Sequence, residues 1–159
     1  MEELYRPYLK LLRELADTLD KLTPLAQQKA EAARQDDLEA LNEVLKQEQA
    51  FTLNLRGLEL RRTKLLAQMG LDGVRLADLP SHCPPELADE ARKTAETLRQ
   101  SYEVYRGYAD MARSTLELQL HQIDKFLADA GVDPKLASQG YETPTNIEPP
   151  QKMRTDFRA

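Results

Sequence analysis

Apolar residues recur at steps of three and four along three stretches of the chain, which is the period of one face of an α-helix. The longest stretch covers residues 86–130, where Leu87, Ala91, Thr94, Leu98, Tyr102, Tyr105, Ala109, Ala112, Leu116, Leu120, Ile123, Leu127 and Ala130 form one unbroken stripe. A second row, Val104, Tyr108, Met111 and Leu118, lies about 120° around the same cylinder at about 100° per residue. Two apolar rows call for two partners, so this third helix is expected to organise the rest. Pro84 and Pro85 precede it, Glu86, Asp89 and Glu90 place negative charge at the positive end of the helix dipole, and Gly131 suits the left-handed position after its end.

The first stretch, residues 3–34, carries Tyr5, Tyr8, Leu12, Leu15, Leu19, Leu22, Ala26, Ala30 and Ala33, flanked by Leu4, Leu11 and Leu25. Pro24 removes an amide donor and crowds the preceding turn, so a kink near Thr23, or a break with Thr23 capping a second helix, is expected. The second stretch, residues 36–69, opens on Asp36 with Glu39 three residues later, the spacing of a capping box. Its stripe is Leu38, Leu41, Leu45, Phe51, Leu55, Leu58, Leu65 and Met69. Glu48 and Arg62 stand where the period asks for an apolar residue, as candidates for a charge pair or for snorkelling stems at the seam's edge. Gly57 reads as a tolerated surface glycine or a point of close helix approach.

Leu71, Val74, Leu76 and Leu79 sit between Gly70 and Cys83, enough for a connector with one packed turn. Beyond residue 130 the composition shifts to proline, glycine and polar residues, and a flexible tail over 131–159 is expected. The chain thus divides into a three-helix bundle over 1–130 and that tail. The expected architecture is all-α, an antiparallel bundle of three long helices. At about 1.5 Å per residue the third helix exceeds the first two by about 15 Å. If it folds back along the second, it passes the Asp36 turn near Leu118 and leaves Leu120, Ile123, Phe126 and Leu127 projecting. A projecting apolar end is a docking site.

Composition narrows the function classes. The net charge of −5 and the interspersed signs provide no broad electrostatic footprint for nucleic acid. No stretch approaches the roughly 20 apolar residues that span a bilayer, so no membrane insertion is expected, and the single Cys83 fits a reducing, cytoplasmic compartment. Phosphate-binding loops, nucleophile elbows and paired CxxC motifs are missing from the sequence. Glu117 and His121 are four apart, the wrong spacing for a di-metal bundle, and His82 beside Cys83 leaves the other coordination positions unsupplied. The cluster Arg56, Arg61, Arg62 and Lys64 reads as a solvated helix face. Neither an enzyme nor a cofactor is expected.

Asp37-Leu38-Glu39-Ala40-Leu41, continuing through Lys46-Gln47-Glu48, Leu58-Glu59 and Arg61-Arg62-Thr63-Lys64-Leu65-Leu66 to Met69-Gly70, resembles the second helix of the FlgN family of flagellar export chaperones. The layout is similar too, with two long helices, a connector, a longer third helix and a Pro- and Gly-containing tail. The resemblance implies a cytoplasmic chaperone that binds hook-associated flagellar proteins of the FlgK and FlgL type and delivers them to the flagellar type III export apparatus. It implies a client site on the third helix, here Val104, Tyr108, Met111, Leu118, Leu120, Ile123 and Leu127, and a tail tyrosine, here Tyr141, that contacts an export gate component of the FlhA type. The chain reads Asp110-Met111-Ala112-Arg113 where the family often has Asn-Arg-Leu-Leu, and Glu142 follows Tyr141 where glycine is common.

Two alternatives stay open on the residues alone. Val104, Tyr108, Met111 and Leu118 could instead face the other two helices inside the bundle. The chain could also be a structural coiled-coil adaptor that self-associates, as a homodimer, or binds another helical partner with no secretion role. A coiled coil would sustain a 3.5-residue repeat, whereas the third helix drifts at nearly the straight-helix period.

Overall fold

A computed structural model describes residues 2–131 of the chain. They form α1 (Glu2–Arg34), α2 (Leu38–Gln68), a 3-10 turn (Leu76–Asp78), the single-turn α3 (Leu79–His82) and α4 (Ala88–Asp129). The expected all-α class holds, with no strand among the described residues. Apart from Gly131, the expected tail and Tyr141 with it lie outside them.

The hub is α1, not the third long helix. It packs on both α2 and α4, and its buried residues, Tyr8, Leu9, Leu11, Leu12, Leu15, Ala16, Leu19, Leu22 and Leu25 among them, cover roughly 220° of its circumference at about 100° per residue. The sequence reading missed this because Leu9, Ala16 and Ala32 fall outside the single stripe it followed. By contrast, α4 buries Ala91, Thr94, Ala95, Leu98, Ser101 and Ala112. Such small side chains let one helix lie close on another but enclose little apolar area.

Cross-helix pairs give the directions. Lys29 with Glu48 at 2.9 Å and Glu14 with Arg61 at 3.7 Å match rising numbers on α1 with falling numbers on α2, so these two run antiparallel. Arg13 with Glu90, and Ala33 with Gln119, rise together, so α4 runs parallel to α1. The three long helices thus run up, down and up, each antiparallel to the one before it in the chain, but α4 packs on α1, with which it runs parallel, and not along α2 as an antiparallel three-helix bundle with α4 folded back on α2 would have it.

Several local expectations shift. The backbone of α1 continues through Pro24 as one helix, and the Thr23 hydroxyl donates to the Leu19 carbonyl at 3.1 Å instead of capping a new one. The cap of α2 is Asp37, whose carboxylate accepts from the Ala40 amide at 3.0 Å, while Asp36 sits in the turn at φ 54°. Val44 is buried, and Leu38 and Leu45 are exposed. Arg62 leaves the solvated basic face it was assigned to. It is 2 % exposed and grips Glu59 through Nε at 2.9 Å and Nη2 at 2.6 Å. Glu48 pairs with Lys29 instead, so both interruptions of the α2 stripe are charge pairs with different partners. Gly57 has open space where a side chain would stand, the surface reading. Leu71, Leu76 and Leu79 are buried in the connector, and α4 begins two residues later than expected, with Asp89 and Glu90 in its first turn.

Candidate functional site

Burial on α4 changes character along its length. Fully buried positions stop at Ala112, and the helix runs on to Asp129. The Gln119 side-chain amide donates to the carbonyl of Ala33, one residue before the end of α1. From there α4 has passed the α1–α2 turn, which is the register expected from the helix lengths, reached by lying on α1.

Two apolar surfaces result. The first is the row Val104, Met111 and Leu118, which are 52 %, 51 % and 59 % exposed. This settles their placement as an outer face, with Tyr108 the half-buried exception. Tyr108 and Met111 line a groove of about 380 Å³ with Ala26, Ala30 and Arg34 of α1. The second surface continues the core-facing stripe past its partner. Leu120 and Ile123 are exposed and Leu127 is half-buried, at the angles where Leu98 and Ala112 meet α1. Phe126, which the sequence reading placed in the overhang without assigning it to the site, is 71 % exposed. Its angle matches that of Tyr108, and this repeat could have found it. Nothing in the periodicity pointed to the contribution of α1 to the groove.

The charged surroundings are mixed. Arg106 lies 3.8 Å from Asp110 on the flank. Inward of the row, burial together with the negative charge of Glu48 pushes the Tyr105 hydroxyl up to about 12, so it stays neutral where α4 approaches α2. Burial also pushes the Cys83 thiol up. No group of three or more His, Cys, Asp or Glu able to hold a metal ion occurs among the described residues, and none of their helices is long and apolar enough to cross a membrane. The arrangement offers apolar area with polar edges, which suits holding a helix.

The sequence model of the FlgN family, described as FlgN protein, matches residues 1–142. The chain belongs to the FlgN family. FlgN proteins are flagellar chaperones that bind flagellar subunits, and the match spans all three long helices and reaches Tyr141. No curated protein and no solved structure matches the chain.

Proposed function

We propose that this FlgN-family protein is a cytoplasmic export chaperone that holds an amphipathic helix of a hook-associated subunit of the FlgK or FlgL type on the far half of α4 and delivers it to the flagellar type III export apparatus. The observation that carries this reading is the exposed apolar surface of α4, with Val104, Met111 and Leu118 on the outer row and Leu120 and Ile123 beyond Gln119, where α4 meets the end of α1. A helix in a groove is read by anchors at spacings of three, four and seven, and Val104, Tyr108, Met111 and Leu118 stand at such spacings. Tyr supplies rigid area with a polar tip, and Met adapts to imperfect shapes. Leu120, Ile123 and Leu127 add the second surface, on the stripe that meets α1 earlier in the helix. Tyr141 is assigned, on the family resemblance, to an export gate component of the FlhA type.

Calorimetric titration of the chain with FlgK- and FlgL-type subunits tests the reading. Met111→Glu and Leu118→Glu should each weaken binding by about tenfold or more, or about 1.4 kcal/mol. The same exposed positions should shift folding stability by no more than about 0.5 kcal/mol. Absence of wild-type binding at about micromolar concentration would remove the chaperone reading and favour the adaptor, in which the α4 surfaces pair with each other.

A further inference from the structure

The outer face of the second half of α2 is cationic, against the charge of the chain as a whole. Between Lys46 and Gly70 the acidic residues are Glu48 and Glu59, and both are engaged, Glu48 with Lys29 and Glu59 with Arg62. The exposed charges left on this stretch are Lys46, Arg56, Arg61 and Lys64, all positive, on a chain of net charge −5. Arg61 reaches Glu14 at 3.7 Å, whereas Lys46, Arg56 and Lys64 meet no carboxylate among the described residues.

Two leucines stand among these cations. Leu53 and Leu60 are 71 % and 73 % exposed, as open as Phe126 at the far end of α4. At about 100° per residue, Leu53, Leu60, Lys46, Arg56, Gly57 and Lys64 fall within an arc of about 100°, with Arg56 on one side of the leucine row and Lys46 and Lys64 on the other. The side of α2 that buries Leu55, Leu58, Arg62 and Leu66 faces the opposite way. Gly57 has open space where a side chain would stand, so nothing inside the molecule requires its small size, although glycine weakens a helix interior. We propose that this face docks an acidic amphipathic helix of another protein, one that carries a row of leucine or similar residues edged by glutamate or aspartate.

Charge selects the occupant. Paired helices use the charges beside an apolar seam to choose partners, and this seam is edged by cations with no exposed acid to receive a basic partner. A carboxylate of the partner can take two parallel hydrogen bonds from the Arg56 guanidinium, while the apolar stems of Lys46, Arg56 and Lys64 cover the seam. Gly57 lets the partner's backbone come close beside Leu53 and Leu60. An anionic membrane would share the charge but not the shape. A helix lying in a lipid interface presents a broad apolar face with bulky anchors such as Trp or Phe, and between Lys46 and Lys64 the large exposed apolar residues are two leucines. That span is about 27 Å long at 1.5 Å per residue, a single helix contact of the small, transient class. It uses no residue of the α4 surface and stands independently of the chaperone reading.

Fluorescence anisotropy of the full chain with a labelled synthetic helix reads the result. The probe has about three heptads, with leucine along its seam and glutamate at the seam's edges. A matched peptide carries lysine at those edges, and phosphatidylglycerol vesicles supply an anionic surface. The chain should bind the glutamate peptide with a Kd of about 10 to 100 µM, more weakly as salt rises, and should bind neither the lysine peptide nor the vesicles. Leu60→Glu should weaken peptide binding by about tenfold or more, with circular dichroism melting unchanged because the position faces solvent. Gly57→Leu should weaken it too, while the melting temperature holds or rises, because leucine is the better helix former. Arg56→Glu combined with Lys64→Glu should transfer binding from the glutamate peptide to the lysine peptide. Absence of wild-type binding to the glutamate peptide would overturn the proposal, and binding to the vesicles in its place would assign the face to a membrane. Equal binding of the two peptides would overturn charge as the selector, and binding that survives Leu60→Glu would overturn α2 as the docking face.

Discussion

Arg62 shows how much a single position on α2 carries. Burial pulls its pKa down, but the hydrogen bonds and charge of Glu59 hold it above its ordinary value, so the guanidinium stays charged beside Tyr8. A buried ion that loses its partner is left uncompensated, at a cost of about 3 to 5 kcal/mol, whereas replacing the charge by an apolar side chain of similar volume is often neutral. Glu59→Ala should therefore lower stability in urea unfolding by about 2 kcal/mol, below the full cost because Glu59 is partly exposed to water and Tyr8 still hydrogen-bonds the guanidinium, and Arg62→Met should lower it less. Equal losses in the two variants would show that the arginine stem, and not its charge pairing, matters at this site. Periodicity marked Arg62 as out of place. It could not say that Glu59, one turn away, would fold inward to meet it.

At the scale of the element, the α1–α2 turn divides between two adjacent aspartates a job that the sequence pattern assigned to one. Asp37 satisfies a free amide of the first turn, and Asp36 takes the left-handed backbone. Loss of a helix cap costs about 0.5 to 2 kcal/mol, while glycine at a positive φ relieves steric strain. Asp37→Ala should lower the melting temperature, and Asp36→Gly should leave it unchanged or raise it. The reverse order in a thermal scan would restore Asp36 as the cap. The capping box was legible as a motif but displaced by one residue, because Asp36 and Asp37 are chemically equivalent caps and the backbone angles choose between them. Leu41 and Leu116, expected to be core leucines, are only half-buried, whereas Leu12 and Leu98 are fully enclosed and carry the weight of the core.

For the whole molecule, the consequence of a hub helix is uneven stability along α4. Its first half lies on α1, with Ala91 and Leu98 fully buried, and its last turns lie past the α1–α2 turn with few apolar contacts. Segments with little buried apolar surface open at low free-energy cost. In hydrogen exchange of the free chain, the amides of Leu120, Ile123 and Leu127 should exchange well before those of Ala91 and Leu98, and binding of a FlgK- or FlgL-type subunit should slow them. Uniform protection along α4 in the free chain would mean that another part of the chain already covers the overhang. The absence of added protection on binding would place the client elsewhere.

By itself, the sequence determined the helical class, the existence and approximate bounds of the three long helices, the family resemblance and the projection of α4 past the Asp36 turn. These follow from local periodicity, terminal residues and the fixed rise of a helix. Only the tertiary structure decided that α1 is the hub, that α4 lies on α1 and not along α2, that Val104, Met111 and Leu118 face outward, and that Leu38, Leu45, Leu53 and Leu60 of α2 stay exposed. The physical reason is that periodicity shows which residues share a face but not which face meets a partner. That choice depends on the fit of small residues such as Ala91 and Ala95 against leucines distant in the chain, a property of the packed pair that neither stretch carries alone.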